Sequence, residues 1–498
     1  MLDIFFDSLP TATVLYSIVA NIIRVIAIGV VPYNRRPSAA TAWLMLIMLE
    51  PIIGTLVFSI LGSNKLNARR QRIQRAVNRG LKAMWLDTPD TPPNELLPEG
   101  LERVIAMNRK MTELPSLFGI NRAISSDYQT SIDQIIHAID ESRYYVHMLF
   151  YIMAKDERTT PIFDAMKRAV DRGVRVRVLY DHIGSRKYPG FAEMREFMTN
   201  NGIDHHMTAP VLPFDGEFNR PDLRNHRKLM VVDGNVGFTG SFNMIDSTYL
   251  DEQNVALGRH WNEVTILLNG QIVSQLDNIF ALDWASETNE TLPVSIPDAA
   301  QRQHISYVSR HTDDEMNVFQ LIPSGPGYAE EPNLRLFTTL IEQAQEHVAI
   351  VSPYFIPDTP LMQAITSAAY RGVEVELFVN ERGDQMMVDL AQRSYYEPLL
   401  DAGVTIWLWP QPEILHAKFV TIDRQVSVLG SSNMDMRSFG LNHEISLLAS
   451  NGNVNRDLHK VLRTYRTKCT VLDRDRWGRR SWVTRYLESL MRLTSALQ

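Results

Sequence analysis

The chain repeats itself, and that repeat limits its fold more than any other feature. Residues 226–233 read His-Arg-Lys-Leu-Met-Val-Val-Asp, and residues 416–423 read His-Ala-Lys-Phe-Val-Thr-Ile-Asp. Each octet has His first, Lys third and Asp eighth, 190 positions apart. The flanks match too: 169–181 with 368–380, 200–206 with 401–407, and 146–152 with 351–357. Each copy reads strand, helix, Arg-Gly-Val turn, strand, helix, Gly turn, strand, octet. Helices alternating with β runs predict an α/β fold, a mixed β-sheet flanked by helices in each half. Two copies of one unit predict a pseudo-symmetric pair with a site at the shared seam.

Side chains two apart on a strand share a face, so His226 and Lys228 point together, as do His416 and Lys418. The runs after each octet read as hairpins, with Asp233 and Asp423 at the turns. Next come Gly240, Ser241 and Asn243 in one copy, and Gly430, Ser431 and Asn433 in the other. The full pattern H-x-K-x4-D-x6-G-S-x-N thus occurs twice at equivalent places, which is hard to assign to chance. If the copies meet, two imidazoles, two ammonium groups and two amides surround one pocket. Such a pocket suits a phosphodiester: cations and amides stabilise its oxygens as charge shifts in the transition state. One neutral imidazole can attack phosphorus while the other, protonated, gives its proton to the leaving oxygen. Asp233 and Asp423 count among the catalytic candidates, with a role in holding the turn as the alternative. Ser241, Asn243, Ser431 and Asn433 are the candidate substrate contacts. Arg227 and Ala417 point away from the site. No carboxylate cluster marks a metal site and no glycine-rich loop marks a nucleotide, so no cofactor is expected.

The first 62 residues are of another kind. An apolar run interrupted by Arg24 is followed by Arg35 and Arg36, and then by residues 39–62, whose only charge is Glu50. Twenty-four helical residues reach about 36 Å, enough for a hydrocarbon core of about 30 Å. Residues 1–62 are therefore expected to form a transmembrane helical hairpin, with one span plus one interfacial or buried helix as the alternative. Glu50, beside Pro51, is read as structural, near an interface or paired with Arg24, rather than functional. From 65 to 82 there are seven Lys or Arg and no acid. That bias places the large C-terminal part on the cytoplasmic face and attracts anionic lipid. We expect a basic juxtamembrane segment and linker over 63–110, a first half over 111–290 and a second over 291–498. The second ends in an amphipathic helix, whose Trp482, Tyr486, Leu490, Leu493 and Leu497 stripe is expected to pack on its own domain. The net charge of -7 and pI near 6.0 weigh against a nucleic-acid partner. A single cysteine, Cys469, excludes an internal disulfide.

The duplicated H-x-K-x4-D-x6-G-S-x-N resembles, position for position, the signature of the phospholipase D superfamily. Within it the chain is similar to the bacterial cardiolipin synthase family, through the two N-terminal apolar runs, "SPYFIPD" (352–358), "LHAKFVTID", "GSSNMDMRSF" and the Arg- and Leu-rich C-terminus. The resemblance implies two phospholipase D-like halves and a phosphatidyl transfer between two phosphatidylglycerol molecules, through a phosphohistidine, to make cardiolipin. It implies His226 as nucleophile and His416 as acid, then base. It also implies a carboxylate orienting each histidine. Eleven positions past Asn433 stands Glu444; the same count past Asn243 reaches Asn254, and Glu263, after Trp261, is the alternative. The implied setting is the bacterial inner membrane, multi-pass, with lipid as partner and an oligomer compatible with it. Rival readings are a membrane phospholipase D hydrolase, a phosphatidylserine synthase-type transferase, a nucleic-acid phosphodiesterase, which the pI and the apolar runs count against, and a non-catalytic scaffold. The scaffold would be expected to have lost a His or Lys; neither is lost.

Overall fold

A computed structural model describes residues 2–33, 35, 37–62, 68–86, 88–90, 97–212, 217–293, 315–328 and 330–495. Residues 284–307, polar and containing Pro293 and Pro297, read in the sequence as the connector between the halves, and 294–307 of them lie outside the described residues. The chain divides into two units, Met1–Lys65 and Leu66–Gln498.

The small unit holds helices α1 (Leu2–Val30), α2 (Pro37–Leu49) and α3 (Pro51–Leu61). Among the described residues only α1 is long and apolar enough to cross a membrane, through Thr13–Val30. The second apolar run is not the single span expected. It breaks at Glu50, with φ -130° and ψ 88°. The cause is local: Pro51 has no N–H to continue the ladder, and its ring pushes the preceding residue out of the α region. Arg24 donates to the Met48 carbonyl at 3.2 Å rather than pairing with Glu50.

The large unit is built on one continuous sheet. The first half contributes β1 (Leu117–Ser125), β2 (Tyr145–Phe150), β3 (Arg175–Asp181), β4 (Asp204–Thr208), β5 (Leu229–Val232), β6 (Val236–Gly240) and β7 (Thr265–Asn269). The second contributes β8 (Met316–Ser324), β9 (His347–Val351), β10 (Glu374–Asn380), β11 (Thr405–Trp409), β12 (Phe419–Ile422), β13 (Val426–Gly430), β14 (Glu444–Ser450) and β15 (Thr470–Val471). The order is β15-β11-β10-β9-β12-β13-β14-β8-β1-β7-β6-β5-β2-β3-β4. Read outward from the middle, the halves have the same order, so a pseudo-twofold passes between β1 and β8. Those two pair antiparallel, Leu117 opposite Phe319 and Ile120 opposite Met316. The two sheets expected from the repeat are thus one. Strands β2-β3-β4 and β9-β10-β11 are parallel, as helical crossovers require; the other pairs named here are antiparallel.

One face of the sheet carries a core common to both halves, with Leu268, Leu276, Phe280, Leu447, Leu458 and Tyr465 in one cluster. The opposite face carries two separate cores, one per half. The expected linker is largely part of this packing. Helix α4 (Ala68–Trp85) buries Leu81 and Trp85 in the common core, and its Arg70 pairs with buried Glu287 at 2.5 Å. Residues Leu101–Thr112 form a helix that buries Leu101, Val104 and Ile105 in the second-half core. The C-terminal helix, Trp482–Arg492, tucks in Glu488, paired with Arg480. The described part of its apolar stripe faces outward instead: Trp482, Tyr486, Leu490 and Leu493 are exposed, and Leu497 lies outside the described residues.

Candidate active site

The octets run into the hairpins β5–β6 and β12–β13, with His at one end of the strand and Asp at the other. Asp233 and Asp423 take positive φ, 51° and 48°, in the turns. Asp233 accepts hydrogen bonds from the Arg143, Tyr144 and Tyr145 amides, each at 2.8 Å. Asp423 accepts from Gln345, Glu346 and His347, at 2.9, 2.8 and 2.9 Å. Each Asp stands seven residue steps along the extended chain from its His, about 23 Å. These two are corrected from catalytic to structural: each ties a hairpin to the start of the neighbouring strand.

At the other end the halves exchange backbone. The His226 amide donates to the His443 carbonyl at 2.9 Å, and the His416 amide to the Asn262 carbonyl at 2.8 Å. Short parallel pairings accompany both, Asn225 with His443 and Ile414–Leu415 with Trp261–Asn262. The residue after each carbonyl is a glutamate, so the pairs cross the seam. His226 Nδ1 lies 2.9 and 3.1 Å from the carboxylate oxygens of Glu444. His416 Nδ1 lies 2.7 Å from Glu263 Oε1. Each histidine is oriented by a glutamate of the opposite half.

The Gly-Ser elements explain how the glutamates arrive. A Cβ on Gly240 would lie 2.3 Å from the Val264 carbonyl oxygen, and one on Gly430 2.2 Å from that of Ile445. Only glycine lets the strand behind each glutamate pass so close. Ser241 and Ser431 accept from the amides of Val264 and Ile445, at 2.9 and 3.0 Å. Ser431 also donates to Glu444. The serines therefore lock the glutamate strands and stand behind the cavity, a correction to their reading as substrate contacts. The same register makes Glu263 and Glu444 equivalents: each immediately precedes the residue bonded to its serine. Glu263 stands 22 residues past Ser241, and Glu444 thirteen past Ser431. An insertion of nine residues, which holds the short helix Glu252–Leu257, defeats the count that pointed to Asn254.

A cavity of about 710 Å³ opens over this seam. His226, His416, Asn243 and Asn433 line it together with Tyr151, Tyr354, Arg259 and Arg437. With both Nδ1 atoms engaged, each ring has Nε2 left for the cavity. Lys228 and Lys418 are buried, each donating to the carbonyl of its own histidine at 2.7 Å. Burial pulls their ammonium groups down to about 7 and about 8.

The two pairs differ electrically. Burial raises the Glu444 carboxyl to about 7, and burial, with Lys228 and Lys418 close by, holds His226 well below its usual range. Glu263 is held below the usual carboxylate range because His416 and Lys418 outweigh its burial. Burial also lowers His416, but Glu263 opposes that fall. Both rings are thus pushed toward the neutral form, His226 the more strongly, and Glu263 opposes that push at His416.

A family model described as "Cardiolipin synthase, PLD-like domain" matches residues 135–284 and 337–465. The chain belongs to this family. Similar relatives in the family include cardiolipin synthase A of Yersinia pseudotuberculosis (strain PB1/+) and of Yersinia pestis. Each is 32% identical over 480 residues, covering 93% of this chain and 94% of the relative. In fold, the chain is similar to a phosphatidylserine synthase from Haemophilus influenzae Rd KW20, with TM-score 0.59 and 16% identity, over 80% of this chain and all of that one.

Family membership still leaves several residues to the structure alone. Tyr249 accepts from Asn243 at 2.7 Å and donates to Glu263 at 3.3 Å; at the same count past Asn433 the other half has Phe439, which has no hydroxyl. Arg227 does point away from the cavity, but into the protein. It is fully buried, 2.7 Å from both oxygens of Asp283, and donates to the Glu444 carbonyl at 3.3 Å. A lone arginine beside the motif carries no signal of such a partner 56 residues away.

Proposed function

We propose that the chain is a cardiolipin synthase working by a phosphohistidine relay on two phosphatidylglycerol molecules. His226 Nε2 attacks the phosphorus of the first lipid, and the bond from phosphorus to the glycerol headgroup breaks. His416 gives its proton to the departing glycerol oxygen. A second phosphatidylglycerol enters; its headgroup hydroxyl loses its proton to His416 and attacks the phosphohistidine. The P–N bond breaks, leaving a lipid with two phosphates, four acyl chains and a free His226. Asn243, Asn433 and the buried cations face the charge that builds on the phosphate oxygens. The crossed His–Glu pairs over one cavity carry this reading. They hold two imidazoles on the two sides of one seam, and at His416 the carboxylate of Glu263 opposes the loss of the proton.

The surroundings suit lipid. Val255 and Leu257 are exposed beside the cavity-lining Gln253 and Asn254, and Met386 and Met387 are exposed beside Gln385 and Val388. Apolar side chains therefore stand on both lips of a polar cavity, where acyl chains emerge from a bound headgroup. The outward stripe of the C-terminal helix, with Arg479, Arg485 and Arg492 nearby, suits a membrane surface. We place the enzyme at the bacterial inner membrane, anchored through α1, with its catalytic part on the cytoplasmic face.

The test is the purified protein in phosphatidylglycerol vesicles. Glycerol release with formation of the two-phosphate lipid is expected. Phosphatidic acid as the sole product would replace transfer with hydrolysis, and undiminished turnover in His226→Ala or His416→Ala would remove the shared site.

A further inference from the structure

We infer that α2 and α3 form a re-entrant helical hairpin, so that the small unit crosses the membrane once and the two ends of α1 lie on opposite faces. This rests on the membrane anchoring proposed above. The contacts between the two short helices run in reverse register. Trp43 packs edge-on against Phe58, with ring centroids 5.4 Å apart. A Cβ on Gly54 would lie 2.8 Å from the Ile47 Cα. Arg35, ahead of α2, donates to the Gly62 carbonyl, behind α3, at 3.1 and 2.8 Å, and to the Val31 carbonyl, behind α1, at 2.6 Å. The chain therefore leaves α3 where it entered α2. Their lengths agree: 13 and 11 residues reach about 20 and 16 Å, short of a hydrocarbon core of about 30 Å. A broken helix in lipid exposes carbonyls that must be satisfied inside the protein. Arg24 of α1 supplies a donor at that end, to Met48, where a cation also faces the negative end of the α2 dipole.

Charge makes an independent case. Two full spans would leave Arg35 and Arg36 on the face opposite the seven cations of 65–82, against the bias toward cytoplasmic cations. A re-entrant hairpin collects all nine on one face. The other face receives the far end of α1, with Asp3, Asp7 and no cation.

Single cysteines at Leu2, Tyr33 and Tyr370, made in the full chain, separate the arrangements; buried Cys469 in the unmodified chain serves as the unlabelled control. A membrane-impermeant maleimide is applied to intact cells and to inverted vesicles. Leu2→Cys should label in cells, and Tyr33→Cys and Tyr370→Cys only in inverted vesicles. Labelling of Tyr33→Cys in cells, with the other two protected, would establish two spans and overturn the inference. Leu2→Cys protected in cells and the other two labelled there would uphold the single crossing and overturn the cytoplasmic placement. Release of all three chains by carbonate would overturn the anchoring beneath both.

Discussion

The two histidine seats share a backbone plan and differ in what surrounds it. Both have a strand-end His, a Lys bonded to the carbonyl of that His, a Gly-Ser lock and a glutamate from across the seam. His226 sits against Glu444, braced from below by the Arg227–Asp283 pair. His416 sits against Glu263, backed by the Tyr249 hydroxyl where the other half has Phe439 at the same count, and has Ala417 where Arg227 stands. The repeat accounts for the shared plan; the differing surroundings support the roles proposed above. A relay of attack and protonation needs such inequality, since two identical imidazoles would compete for one proton.

The sharpest way to break this comparison is to remove each ring. His226→Ala and His416→Ala should each reduce transfer between natural lipids by about a thousandfold or more. With a donor carrying a p-nitrophenol leaving group, which needs no proton, His416→Ala should recover release of p-nitrophenol and His226→Ala should not. Equal recovery in both would exchange or merge the roles.

Next come the glutamates. Glu263→Gln and Glu444→Gln should each lower kcat/KM by about tenfold to a hundredfold, with different pH signatures. Without Glu263, His416 loses its proton at lower pH, so the alkaline limb of the profile moves down. Without Glu444, His226 stays neutral to lower pH, so the acid limb moves down instead. Both limbs moving alike in the two variants would make the seats equivalent.

Stability sharpens the contrast further. Arg227→Met strands the buried Asp283 and should destabilise by about 3 kcal/mol, read as a fall in Tm, while Ala417→Ser should change Tm little. The smallest effect is expected where the halves are alike. Asp233→Asn and Asp423→Asn should each destabilise by about 1–2 kcal/mol through weaker amide contacts, with kcat within about threefold of the parent. A large kcat loss in either would return that aspartate to the chemistry.

Much of this was legible in the sequence because it is periodic. The octets, the Gly-Ser-x-Asn elements and the alternating β and α signals lie at fixed spacing, and they mark both histidines and the order of strands. What escaped depends on partners far along the chain. The nine-residue insertion hides the equivalence of Glu263 and Glu444, and no spacing rule reveals that each serves the other half. The joining of two sheets at β1 and β8 needs a pairing across 200 residues. The break at Glu50–Pro51 was written in Pro51 itself, but hydropathy summed over a window does not register a missing N–H.

The crossing of the seam also has a consequence in time. His226 emerges from the ribosome 218 residues ahead of the Glu444 that seats it, a delay of roughly 10–40 s at bacterial synthesis rates. For the first part of that interval the newborn first half holds β1 as an open edge, free to pair with any passing strand until β8, Met316–Ser324, arrives. The enzyme is thus inert until most of its second half is made, while its β1 edge needs cover only until Met316–Ser324 has emerged.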